Sequence, residues 1–132
     1  DNQSRESTMS MSIAIACQIV IALGIFNVWI IRRDRPTPFR PEGAGGIRDE
    51  FDAYGFPSWV WKAVGATKLT LAVLLLVGIV VPAIAPLAAG AMAVLMISAI
   101  GAHIRVSDPI MKSVPAFTML VLCTVVFVSY SI

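Results

Sequence analysis

Residues 69–102, LTLAVLLLVGIVVPAIAPLAAGAMAVLMISAIGA, decide the fold, because none of these 34 residues carries a formal charge. A helix needs about 20 predominantly apolar residues to cross the hydrocarbon core of a bilayer. The stretch is therefore long enough for most of two such helices. Pro82 and Pro86 lie near its centre, where proline favours the end of one helix and the start of the next. The stretch predicts two membrane helices joined by a tight hairpin.

Two further stretches without a formal charge lie outside it, residues 7–31 and residues 113–132. Of the 132 residues, 58% are hydrophobic and 14% are charged, whereas soluble domains contain about 25% charged residues. The chain is too short to carry a separate soluble catalytic domain beside these stretches. We therefore predict an all-α fold, an integral membrane four-helix bundle in a single domain, with spans over about residues 11–31, 58–81, 87–104 and 113–131.

A polar loop, residues 32–57, joins the first two spans and holds most of the charge. Near its end, the segment IRDEFDAYGF (47–56) predicts a short interfacial helix. Its apolar side chains are expected to turn towards lipid or protein: Ile47, Phe51, Tyr54 and Phe56. Residues 1–10 are polar and are expected to form a tail outside the first span.

The basic residues are distributed unequally between the two membrane faces. The face formed by the first and third loops has eight of them, and the opposite face has only Arg5; the eight are Arg32, Arg33, Arg35, Arg40, Arg48, Lys62, Arg105 and Lys112. Basic residues near span ends are enriched on the cytoplasmic side. We expect these loops on the cytoplasmic or stromal side and both termini on the outer or lumenal side, in a bacterial inner membrane or an organellar membrane such as the thylakoid. The net charge of +2 is too small to predict a nucleic-acid partner.

Small residues predict how the helices pack. Lipid tails are as apolar as leucine, so membrane helices associate through close packing of small side chains. Ala85, Ala89 and Ala93 recur at four-residue spacing around the third span, which also contains Gly90 and Gly101. We expect this span to be the central helix of the bundle. The same surface could instead bind another membrane protein, so membrane lipids and other membrane subunits are both expected partners.

Lys68 is the only formal charge deep inside a predicted span. An ionisable group at such a depth is costly, so it points to a functional or pairing role. Two interpretations are open. Lys68 lies about 9 Å deeper than Lys62, a depth from which a lysine can still extend its ammonium towards the interface. Alternatively, it faces the bundle and binds an anion, a quinone carbonyl or a partner dipole.

Three more polar residues lie in the same half of the bilayer as Lys68: Asn27, His103 and Asp108. Because each polar group in hydrocarbon needs a partner, we predict that the four form a ligand-binding cluster. His103 and Asp108 could also form only a hydrogen bond within the loop. Gln18 is half a turn out of phase with Asn27 and is assigned to helix packing.

Several kinds of chemistry are excluded by residue type. One histidine and two separated cysteines, Cys17 and Cys123, cannot build a bis-histidine haem, a zinc site or an iron–sulfur cluster. We therefore predict no metal and no covalently bound cofactor, and we assign no catalytic residue. Any redox group would come from a partner or from a lipophilic substrate such as a quinone, and a bound lipid is the other candidate ligand.

Three motifs resemble the DoxX-like family of small four-span membrane proteins. They are FDAYGFPSWVWKAVGATKL (51–69), GIVVPAIAP (78–86) and AVLMISAIGAHIRVSDPIMKSVPAF (93–117). The resemblance implies a four-helix bundle with a role near membrane oxidoreduction: thiosulfate:quinone oxidoreduction, quinone or thiol stress responses, or complexes with partner redox enzymes. Family members often have an acidic residue where this chain has Lys68, so a function of that acidic residue cannot be assigned to Lys68.

Two functions follow as hypotheses. In the first, a DoxX-like membrane protein supports membrane oxidoreduction or binds a quinone-like lipophilic molecule near Lys68, Asn27 and His103. In the alternative, the chain is a non-catalytic accessory subunit packed in a larger respiratory or photosynthetic complex. A transporter is disfavoured, because paired acids and broken spans are absent from the sequence.

Overall fold

The computed structural model describes residues 2–34 and 44–131, and every regular element within these residues is helical. In chain order, the elements are α1 (Asn2–Phe26), a π-helical turn (Asn27–Ile31), α2 (Ile47–Ala53), α3 (Ser58–Val80), α4 (Ile84–Arg105), a 3-10 turn (Ile110–Ser113) and α5 (Val114–Ser131).

Four of these helices are long and apolar enough to cross a membrane: α1 with its π-helical turn, α3, α4, and α5 with its 3-10 turn. Their outer faces contact lipid, since large apolar side chains on all four are exposed in the isolated chain. The prediction of an all-α integral membrane four-helix bundle is confirmed. Arg35 and Arg40, two of the eight basic residues counted above, lie outside the described residues.

Two helices begin earlier than the sequence indicates. α1 begins at Asn2 rather than near residue 11, so the expected polar tail is helical. Its hydroxyl groups are satisfied within the helix, because Thr8 donates to the Ser4 carbonyl at 3.0 Å and Ser12 to that of Thr8 at 3.0 Å. α4 begins at Ile84 rather than residue 87, because proline is tolerated in the first turn of a helix, where its missing N–H has no intrahelical acceptor.

The long helices pack in a ring. α1 and α4 each pack on both α3 and α5, and the most extensive contact is between α4 and α5. No described helix occupies the centre, so the prediction of a central third span is wrong. The physical reason is that a ring of four helices buries one side of each, while a central helix would need more than three neighbours to surround it.

Small residues occupy the inner sides of the ring, as predicted. Ala85 and Ala89 of α4 are fully buried, as are Ala72 of α3 and Ala14 and Ala22 of α1. The free thiols of two cysteines lie in the same core. Gly101, by contrast, is exposed, so only part of the small-residue pattern in α4 serves packing within the chain.

Gln18 joins three helices at the end of the bundle away from α2. It is fully buried, its Nε2 donates to the Leu75 carbonyl of α3 at 2.7 Å, and its Oε1 accepts from the Tyr130 hydroxyl of α5 at 2.8 Å. Its assignment to helix packing is confirmed. These bonds supply partners to a side chain that would otherwise be unsatisfied in an apolar core.

The short helix α2 forms where the sequence predicts it and packs against α3. Ile47 and Tyr54 are buried, and Phe51 and Phe56 are half-buried. The apolar side of α2 therefore faces protein, and the helix lies at the end of the bundle that carries the charged loops.

The α3–α4 hairpin depends on the close approach of Gly78 in α3 to Ala85 in α4. A methyl group at Gly78 would lie 2.9 Å from the Cα and Cβ atoms of Ala85. We expect Gly78→Ala to lower the free energy of unfolding by about 1–3 kcal/mol, the usual cost of overpacking, as measured by equilibrium unfolding in detergent micelles.

Gly101→Ala is the matched control, because nothing lies within 4 Å of the methyl group it adds. Alanine favours a helix over glycine by about 1 kcal/mol, so this variant should be as stable as the unchanged protein or more so. Equal destabilisation by both substitutions would contradict the described packing of the hairpin.

Candidate ligand-binding site

A cavity of about 350 Å³ lies between the long helices at the end of the bundle that carries α2. Three of the four predicted site residues are on its wall: Asn27, Lys68 and His103. The other polar side chains on the wall are Arg32, Glu50 and Lys112, and the remaining wall is formed by Gly24, Ile25, Val28, Trp29, Met96, Ala99, Pro115, Ala116 and Met119. The cavity is therefore apolar over most of its surface and polar at one end.

Lys68 faces the interior of the bundle. Lys68 is only 9% exposed, and its Nζ lies 5.2 Å from the centroid of the Trp29 ring. A cation–π contact of this kind contributes about 0.5–2 kcal/mol, much less than the cost of removing an ammonium group from water. Glu50 interacts with this charge electrostatically. No hydrogen bond or ion pair joins Lys68 to another residue within 2–34 and 44–131.

Gly65 and the π-helical turn bring Trp29 against Lys68. A methyl group at Gly65 would lie 2.7 Å from the Trp29 ring, so glycine at this position makes room for the indole. Trp29 and Asn27 both belong to the π-helical turn at the end of α1. Such turns are rare and occur often at functional sites, and this one places both residues on the cavity wall.

His103 is the centre of a hydrogen-bonded line. Its Nδ1 lies 2.8 Å from Asp108 Oδ2, and the Tyr54 hydroxyl lies 3.3 Å from each of its ring nitrogens. The same hydroxyl donates to Glu50 Oε1 at 2.8 Å. The line thus runs from the α4–α5 connection through α4 to α2. It reaches the cavity at two points, because His103 and Glu50 are both on the wall.

Asp108 is not on the cavity wall, and it reaches the site through His103. The chain reverses direction directly after α4, where Ser107 has a left-handed backbone with φ of 56°, and the Asp108 N–H donates to the His103 carbonyl at 3.0 Å. The expected hydrogen bond between the side chains of His103 and Asp108 is present. It forms part of a longer line rather than an isolated contact.

A second cavity, of about 170 Å³, adjoins the first beneath α2. Phe51 lies at the centre of its aromatic wall, with ring centroids 6.0 Å from Trp29, 5.9 Å from Tyr54 and 5.9 Å from Phe56. Lys68 and Glu50 line both cavities. These two charged residues therefore lie where the larger, mostly aliphatic cavity meets the smaller aromatic one.

Sequence reasoning missed several residues of this site. Glu50 is one of several acids in a charged loop, and nothing in its spacing distinguishes it from Asp49 or Asp52. Tyr54 is predicted on the apolar side of α2, but the partner of its hydroxyl appears only when α2 packs against the bundle. A signal did exist for Trp29, the one tryptophan of the first predicted span, two positions after Asn27.

The fold and the cavity define a four-helix membrane protein with a polar pocket at one end. Residues 43–128, more than half of the chain, match the DoxX-like family. The chain belongs to this family, and the predicted resemblance is confirmed. The match includes Lys68, His103 and Asp108, whereas Asn27 precedes it. No curated protein and no solved structure matches the chain significantly.

Proposed function

We propose that this DoxX-like protein binds a quinone-like lipophilic molecule inside the membrane and supports membrane-associated oxidoreduction by holding it. The observation that carries the proposal is the 350 Å³ cavity whose apolar wall ends at Lys68, Asn27 and His103. Small-molecule sites typically have volumes of about 300–1,000 Å³, apolar walls and a few convergent polar groups.

The polar end of the cavity suits a carbonyl oxygen. The Lys68 ammonium and the Asn27 carboxamide are hydrogen-bond donors, whereas the Nδ1–H of His103 is donated to Asp108. A planar ring would pack against Trp29 and Met96, both on the same wall. An isoprenoid or alkyl tail would follow the remaining aliphatic wall towards the bilayer centre.

The proposal includes an orientation in the membrane. Apart from Arg5, the described basic residues near the span ends lie at the end of the bundle that holds the cavity, and basic residues mark the cytoplasmic side. We place the cavity on the cytoplasmic or stromal side and both termini on the other. In a bacterial host, alkaline phosphatase fused after Ile132 should be active and a fluorescent protein fused there should be dark; the reverse pattern would overturn this orientation.

Quinone binding is tested by the fluorescence of Trp29, which lies on the cavity wall. Trp59→Phe and Trp61→Phe leave it as the one tryptophan of the chain. In nanodiscs, an added quinone should quench Trp29 saturably. Ala99→Phe fills the cavity and should abolish the saturable quenching, whereas Ile97→Phe, at a position 57% exposed on the same helix, should leave it unchanged.

The role of Lys68 is tested in the same assay. Lys68→Met removes the ammonium donor and should weaken quinone binding about tenfold, as expected for the loss of a charged hydrogen bond. Lys62→Met removes an exposed lysine from the same helix and should have no effect. Circular dichroism checks that all variants are folded. Saturable quenching that persists in Ala99→Phe, together with an affinity that Lys68→Met leaves unchanged, would overturn the proposed function.

A further inference from the structure

We propose that the site selects a ligand whose headgroup is an anionic oxygen acid, so that an amphiphile with an ionised headgroup binds more tightly than its neutral counterpart. The inference rests on the proposed function for the place of the ligand in the cavity. It goes further in assigning the charge of the headgroup and in naming Lys68 as the residue that recognises this charge.

The first observation is that Lys68 is buried and has no ion-pair or hydrogen-bond partner among the described residues. Lys68 is 9% exposed and lines both cavities, and no ion pair or hydrogen bond joins it to another described residue. An ammonium group at this depth in a bilayer requires a counter-charge or a set of acceptors. The Trp29 ring, 5.2 Å away, supplies only the partial negative charge of its face. An anionic headgroup in the cavity would supply the missing counter-charge.

The second observation concerns Glu50, the acidic residue on the cavity wall, whose carboxylate already accepts a hydrogen bond. Glu50 acts on Lys68 electrostatically without forming an ion pair with it, and its Oε1 already accepts a hydrogen bond from the Tyr54 hydroxyl. The Tyr54 hydroxyl therefore occupies one carboxylate oxygen of Glu50, and the ammonium of Lys68 has no ion pair among the described residues. Lys68 lines the space that a ligand would fill.

The third observation is the charge of the surrounding wall. Arg32 and Lys112, which also have contacts elsewhere in the chain, lie on the same wall as Lys68. The acids at the site are Glu50 and Asp108, the latter bonded to His103. Among the described residues that line the cavity, three are basic and one is acidic, a composition that suits an anionic headgroup.

The position of the cavity fits an amphiphile. Its polar residues Lys68, Asn27 and His103 lie towards the charged end of the bundle, and Gly24, Met96 and Met119 line it deeper within the spans. An ionised headgroup would face Lys68 while its single chain remains in hydrocarbon. A carboxylate, a phosphate monoester and the ionised hydroxyl of a hydroxyquinone share this chemistry.

The test compares three probes on the full chain in zwitterionic phosphatidylcholine nanodiscs. The first is an alkyl hydroxynaphthoquinone, which is ionised at neutral pH; the second is its methyl ether, which has the same ring and chain but no charge; the third is an alkyl phosphate of equal chain length. Affinities are referred to the concentration of each probe in the membrane. We expect the hydroxynaphthoquinone to bind about tenfold more tightly than its methyl ether.

Two variants that each remove one charge assign the effect to residues. Lys68→Gln keeps a hydrogen-bond donor but removes the charge, so the preference for the ionised probe should fall to less than about threefold while the methyl ether still binds. Glu50→Gln keeps an acceptor for the Tyr54 hydroxyl but removes a negative charge, so the ratio of the affinity for the ionised probe to that for the methyl ether should rise about threefold.

The outcomes separate this inference from the proposed function. Equal affinities of the ionised quinone and its methyl ether would overturn the inference and leave quinone binding standing. Binding of the alkyl phosphate, with no binding of either quinone, would support the inference and overturn the proposal that the natural ligand is a quinone. A preference for the ionised probe that survives Lys68→Gln would overturn the assignment to Lys68, and failure of all three probes to bind would overturn both proposals.

Discussion

The burial of the Lys68 ammonium inside a membrane helix bundle is the constraint on which the rest of the site depends. Hydrocarbon gives a charged group nothing to bind, so the protein surrounds it with a cavity, an aromatic face and a carboxylate at a distance. Gly65 admits the Trp29 ring beside it, and a π-helical turn supplies that ring from α1. Two local departures from a uniform apolar helix therefore serve one side chain.

The second organising feature is the line of hydrogen bonds from Asp108 through His103 and Tyr54 to Glu50. It connects α2 and the α4–α5 connection to the bundle. Each of these polar groups would be costly in an apolar setting without a partner, so the line allows four of them to lie close to the cavity. At the other end of the bundle, Gln18 joins α1, α3 and α5 by the same principle.

Much of the fold is predictable from the sequence, because charges and apolar runs have a direct meaning in a bilayer. The three uncharged stretches locate the four spans, and counting residues from the charged ends places Lys68, Asn27 and His103 at similar depths. Depth is only one coordinate, however. Which way a membrane helix faces is weakly encoded when lipid and core are equally apolar, so the ring of helices, with no central α4, is not predictable. Glu50 and Tyr54 join the site only because α2 packs against the bundle, a tertiary contact with no local pattern.

The central claim is that the cavity beside Lys68 holds a ligand in the membrane. Native mass spectrometry of the full chain, released directly from native membrane extracts without delipidating detergent, tests it most directly. We expect one tightly held adduct on the unchanged protein that is missing from Ala99→Phe and retained by Ile97→Phe. An unchanged protein with no adduct, or an adduct that persists equally in both variants, would contradict it.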